Sequence, residues 1–161
     1  MPAILAAAVV GACVTHAVES TTFYHPFGVP APADAPMEDV FFTTSDGVRL
    51  HGWWIPPEGR TPGDPPAPAV IHCHGNAGCV ENHLFFSEFL PRAGVGVLLF
   101  DYRGFGRSDG CSFITRNKLM LDTCAALDYL LTRPDVDPTR LGVYGYSLGG
   151  AFALALAAER P

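Results

Sequence analysis

The twelve residues from Arg140 to Ala151, RLGVYGYSLGGA, bring an apolar run up to a serine fenced by glycines, and an Ala- and Leu-rich segment follows at once. Leu141 to Tyr146 reads as a buried strand and Leu148 to Glu159 as a helix. A strand that becomes a helix across a single residue leaves the backbone few options. The bend at Ser147 must be sharp, so the residues two before and two after it, Gly145 and Gly149, must lack bulk for strand and helix to approach. The amides and dipole of the helix start favour negative charge at that point. Ser147 then has two readings: a helix N-cap, for which serine is a favoured residue, or a nucleophile.

The same alternation runs through the preceding sequence. Asp39 to Ser45 and Val48 to Ile55 are rich in β-branched and aromatic residues and flank Asp46-Gly47, which predicts an antiparallel hairpin. Ala69 to Cys73 and Gly94 to Phe100 read as buried strands, Val80 to Leu90 and Thr115 to Thr132 as helices, with Pro134 ending the second. Strands and helices alternating behind a hairpin predict an α/β fold whose sheet is mostly parallel. This domain occupies residues 38–161. Prolines at 26, 30, 32 and 36 make residues 19–37 an extended connector. Within residues 1–18 the run from Ala3 to Val14 is apolar but shorter than the ~20 residues a membrane-spanning helix needs. It reads as a signal peptide or membrane anchor, with small residues before Cys13 in the manner of a lipoprotein processing site. The expectation is an exported or membrane-anchored protein rather than a cytoplasmic one, with membrane association through the N-terminus.

A chain of 161 residues, 48% hydrophobic and 16% charged, can build one real core. Its net charge of −6, with Lys118 the sole lysine, excludes a phosphate-tracking surface and so a nucleic-acid partner. Five cysteines without a CxxC pair form neither a disulfide framework nor a zinc ribbon. Cys79 and Cys111 fall in loops after neighbouring strands, so in an exported protein they are the pair to bridge.

The segment HCHGNAG, His72 to Gly78, follows the first parallel strand. Acyl transfer needs preorganised donors for the tetrahedral oxyanion, commonly the N–H after the nucleophile and one from this loop. These are Leu148 and Asn76, with Ala77 as the near alternative, while Gly75 and Gly78 let the loop close on substrate. His72 and His74 share a strand face and could ligate a metal, but no third ligand follows in recognisable spacing. The expectation is no metal, with His74 holding the loop. Gly104-Phe-Gly106 invites a dinucleotide reading, but Asp109 stands where the third glycine belongs. A tight connection with Asp101 and Arg103 in buried hydrogen bonds fits better.

With HGNAG, DYRGFGRSDG and GYSLGG in this order, residues 38–161 resemble the α/β-hydrolase superfamily. The opening FTTSDGVRLHGWWIPP is similar to its membrane-anchored or exported, esterase-like and serine aminopeptidase-like branch. The resemblance implies a Ser-His-Asp hydrolase of small-molecule esters, thioesters or amides, with Ser147 as nucleophile, Leu148 and Asn76 as oxyanion hole, and no cofactor. It also places the acid and the histidine after the serine. All six histidines precede Ser147, and the sole acid after it is Glu159. The expectation is therefore the N-terminal portion of the fold, lacking its C-terminal strands and helices, with little turnover by itself. The alternatives are a non-catalytic small-ligand-binding protein on this scaffold, or a fragment without function.

Overall fold

The computed structural model describes residues 14–21, 24, 37–61, 63–110 and 112–160. Five strands form one sheet in the order β1-β2-β4-β3-β5: β1 Glu38–Thr43, β2 Arg49–Ile55, β3 Ala67–Cys73, β4 Gly96–Phe100 and β5 Val136–Gly145. The hairpin β1–β2 is antiparallel and β2 meets β4 antiparallel, whereas β3 lies parallel to both β4 and β5. This is the α/β architecture the sequence predicts, an antiparallel hairpin leading into parallel strands.

β4 is buried on both faces, whereas β5 is corrected: Leu141 to Tyr146, expected as a buried strand, is half-buried to exposed, and only Val136 of β5 is buried. Leu98 and Phe100 point into the larger core with Leu119, Leu130, Phe152 and Leu156, while Val97 and Leu99 join Trp53, Ile55 and Val80 on the other side. The larger core is closed by α4 (Arg116–Thr132) and α5 (Leu148–Glu159). α5 has the predicted bounds, and Thr115 caps α4 by accepting the Lys118 N–H.

The predicted helix Val80 to Leu90 is corrected. The segment divides into α2 (Val80–His83), a 3₁₀ turn (Leu84–Phe86) and α3 (Phe89–Arg92). Two local causes break it. The ring of Pro91 conflicts with the carbonyl of Ser87 in a continuous helix, and Ser87 is drawn inward to a buried 2.8 Å hydrogen bond with His72 Nδ1. β5 begins at Val136, not Leu141, and β4 at Gly96, not Gly94. β5 carries Pro138 at the edge of the sheet, where β3 is its one neighbour among the described strands and a missing N–H costs little.

Residues 14–21 form helix α1, which crosses the boundary expected between residues 18 and 19. It caps the start of α4 from a distance in sequence. The Glu19 carboxylate accepts the Arg116 N–H at 2.8 Å and the Tyr24 hydroxyl at 3.3 Å, and Ser20 Oγ accepts the Ile114 N–H at 3.1 Å. Tyr24 is buried in the larger core. Residues 1–13 and most of the connector lie outside the described residues, and so does Cys111 of the expected Cys79–Cys111 pair. Cys79 itself is buried at the start of α2, its Sγ 3.2 Å from Asn82 Oδ1. No helix of the described residues is long and apolar enough to cross a membrane.

Two polar networks cross the core. Arg103 is bound by Asp122 on one side and by Asp46 of the hairpin turn on the other, at 2.7–2.8 Å. His51, fully buried, has Asp101 Oδ2 3.0 Å from Nδ1 and Asp39 Oδ1 3.0 Å from Nε2. Burial opposes its charge, yet the hydrogen bonds to Asp101 and Asp39 outweigh burial and raise its pKa above 6.5. Burial likewise works against ionisation of Asp39, but hydrogen bonds from His51 and Arg107 bring its carboxyl down to about 2. The sign follows: the His51 contribution is complete below 6.5 and lost as pH rises through its folded value, while that of Asp39 holds above 3.8 and fades toward about 2. We expect the thermal midpoint to decline between pH 6 and pH 9, with a shallower slope in His51→Gln. A wild-type profile flat across that range excludes a charged His51.

Candidate active site

β5 delivers the chain to Ser147 with φ 52° and ψ −114°, a left-sided conformation that a non-glycine residue adopts only when its surroundings enforce it. The enforcement is visible in the two glycines. A Cβ at Gly145 would lie 2.2 Å from the Gly149 carbonyl oxygen, and one at Gly149 would lie 1.8 Å from that of Cys73. The Tyr146 N–H donates to the Cys73 carbonyl at 3.2 Å, so elbow and strand β3 are locked together. Ser147 is exposed and its side chain makes no capping hydrogen bond. Ser147 stands at the N-cap position of α5, but its hydroxyl does not cap the helix.

The loop after β3 sits beside the elbow. Gly75 faces the Tyr146 ring, with 3.0 Å between a Cβ built there and Tyr146 Cδ1. His74 is fully buried, and its Nδ1 lies 2.7 Å from the Gly75 carbonyl oxygen, which can only accept, so Nδ1 carries the proton. That carbonyl shares a peptide plane with the Asn76 N–H, so the imidazole fixes how this amide is turned. Ala77 stands at φ 66°, a second strained non-glycine residue, and Asn76 and Ala77 are both half-buried. The Leu148 N–H is the first amide of α5, one of those a helix start leaves without an intrahelical acceptor. The Gly149 and Gly150 amides are taken by the carbonyls of Tyr146 and Ser147.

The histidines have other work. Burial lowers the pKa of His72 to about 3, with the neighbouring His74 and His83 adding to it, and burial holds His74 at about 4 against the pull of Asp101. His83 binds the Cys79 carbonyl through Nδ1. Among the described residues no histidine hydrogen-bonds Ser147, and no group of three or more His, Cys, Asp or Glu is placed to hold a metal ion. His72 and His74 engage Ser87 and Gly75 respectively.

Sequence reasoning passed over Tyr146, and it foresaw Asp101 in buried hydrogen bonds without placing it at this loop. Tyr146 is stacked on Phe86 with ring centroids 4.1 Å apart and contacts the Gly75 face of the loop. Asp101 Oδ1 accepts the Val80 N–H at 2.9 Å and so anchors the far end of that loop. The glycine of Gly104-Phe-Gly106 that matters is Gly106, at φ 48°, where a Cβ would stand 2.1 Å from Asp101 Oδ2. Its role is to admit a carboxylate, not a dinucleotide. The signal available was an acidic residue at a strand end followed by closely spaced glycines.

A sheet of this topology, with a serine on a strained strand-to-helix turn beside a glycine loop, defines an α/β hydrolase. The family model for the alpha/beta hydrolase fold matches residues 68–161, and the chain belongs to that family. It is 43% identical to protein YfhR of Salmonella typhi over 139 residues, 86% of this chain and 47% of that one. It is 35% identical to the alpha/beta hydrolase domain-containing protein WAV2 of Arabidopsis thaliana over 135 residues, 82% of this chain and 41% of WAV2. Among solved structures, the Pyrococcus furiosus esterase Pf2001 superposes with a TM-score of 0.69 at 29% identity, covering 86% of this chain and 52% of the esterase. The chain thus spans about half the length of the relatives it matches.

Proposed function

We propose that the chain carries the nucleophile and oxyanion hole of a serine hydrolase acting on esters, thioesters or amides. The observation that carries this reading is Ser147 itself, exposed and strained at φ 52° with its hydroxyl uncommitted. The hydroxyl oxygen attacks the substrate carbonyl. The developing oxyanion is received by the Leu148 N–H and the Asn76 N–H, the latter turned by His74, with the α5 dipole adding to both. The proton of Ser147 must pass to a base, and none of the buried histidines described above reaches it. In the family's order of residues that base and its carboxylate partner follow the nucleophile. Supporting the ester class are structural neighbours such as Pf2001 and the acetyl xylan esterase of Paenibacillus sp. R4, each called an esterase.

The test is prolonged incubation of the folded chain with a fluorophosphonate and mapping of the adduct by peptide mass. The expected result is one adduct at Ser147, absent in Ser147→Ala. An adduct that persists in Ser147→Ala, or a folded chain that takes none, leaves the scaffold to a non-catalytic ligand-binding role.

A further inference from the structure

Tyr146 stands directly before Ser147, and its main chain has little slack. Its N–H donates to the Cys73 carbonyl at 3.2 Å and its carbonyl accepts the Gly149 N–H at 2.9 Å, so β3 and α5 hold the residue from both sides. The bend that sets Ser147 therefore also sets the direction of the Tyr146 ring. That ring is stacked on Phe86, with centroids 4.1 Å apart and planes 23° from parallel. Phe86 ends the 3₁₀ turn Leu84–Phe86 and meets the His83 ring in turn, at 5.9 Å and 27°. His83 is buried, and its Nδ1, 3.1 Å from the Cys79 carbonyl oxygen, keeps the imidazole from swinging.

Gly75 lies against this group. A Cβ built on it would stand 3.0 Å from Tyr146 Cδ1 and 3.1 Å from His83 Nε2, so both rings press on its Cα. Its carbonyl oxygen is held separately by His74 Nδ1 at 2.7 Å. With rings against the Cα and an imidazole N–H on the oxygen, the Gly75–Asn76 peptide has little freedom to tilt. Tyr146 is 43% exposed and its hydroxyl makes no hydrogen bond among the described residues, so neither core filling nor a polar contact accounts for the ring. We infer that Tyr146, Phe86 and His83 are positioning residues, a three-ring clamp on Gly75 that fixes the Asn76 amide at its distance from Ser147. This role rests on Ser147 as nucleophile and on the Asn76 N–H as oxyanion donor.

The full chain is labelled at Ser147 with a fluorophosphonate and with its thiono counterpart, in which sulfur replaces the phosphoryl oxygen and accepts hydrogen bonds weakly. The ratio of the two rates reads the oxyanion donors, whereas a general loosening of the fold slows both probes alike. Phe86→Ala and Tyr146→Ala are expected to slow the fluorophosphonate at least about tenfold, the scale on which a donor displaced by about 1 Å is felt. The thiono probe slows far less, so the ratio falls. Tyr146→Phe keeps the wild-type rate and ratio, because the ring and not the hydroxyl makes the contacts. Thermal midpoints establish that each variant is folded, and Phe86→Leu and Tyr146→Leu, which keep apolar bulk without a ring, replace any alanine variant that is not. An unchanged ratio in the folded variants, or Tyr146→Phe as slow as Tyr146→Ala, overturns the clamp and leaves the nucleophile standing. A wild-type chain that takes neither probe at Ser147 removes the nucleophile itself, and the clamp with it.

Discussion

Gly149→Ala is expected to lower the thermal midpoint by roughly 10 °C or more, and Gly150→Ala, one residue on, to leave it level or raise it. The methyl group at Gly149 would sit 1.8 Å from the Cys73 carbonyl oxygen and 2.6 Å from that of His74, both backbone atoms that can retreat only by parting α5 from β3. Overpacking typically costs about 1–3 kcal/mol, and a clash with fixed backbone atoms lies at or above the top of that range. At Gly150 the nearest atom outside the helix backbone is 3.5 Å away, ordinary contact, and alanine brings up to ~1 kcal/mol of helix propensity. Differential scanning fluorimetry of the two variants beside wild type reads the contrast. Equal midpoints for all three would remove the close approach on which the elbow depends.

Arg103→Met is expected to destabilise the fold by about 3–5 kcal/mol, because it strands the Asp122 carboxylate in the core. Both side chains are buried, and Asp122 also accepts the Arg103 N–H at 2.9 Å, so it cannot swing out to water. The hydrogen bond from Arg103 holds the Asp46 carboxyl below the usual range, but Asp46 is partly exposed and its loss is worth less. Urea titration should place Arg103→Met far below Asp46→Asn, with the double variant Arg103→Met/Asp122→Leu recovering a large part of the deficit. A double variant as weak as Arg103→Met alone would mean that the unpaired charge is not the cause.

Much of the sheet and the sharp turn at Ser147 were legible because their determinants are local. The Gly145-Tyr146-Ser147-Leu148-Gly149 pattern needs only five consecutive residues to dictate a turn, and the helix that follows has the predicted bounds. The Val80–Leu90 segment misled because its apolar spacing is helical while the deciding contact, Ser87 with His72, spans 15 residues. β5 was clipped because a proline is ordinarily a strand boundary, and Pro138 is tolerated only by its place at the sheet edge. Asp46 was read as a turn residue alone, although its carboxylate also meets Arg103 across 57 positions. The docking of α1 was hidden altogether. Its hydrogen bonds join residues 94 and 97 apart, and no periodicity carries that information.

Asp101 offers one oxygen to the Val80 amide and the other to the imidazole of His51, which in turn meets Asp39 on the first strand. A single rigid group thus couples the rim of the hairpin to the hinge of the loop that bears Asn76. Titrating an imidazole remote from the nucleophile should be audible at Val80, whose amide proton resonance becomes a built-in gauge of the lever's position.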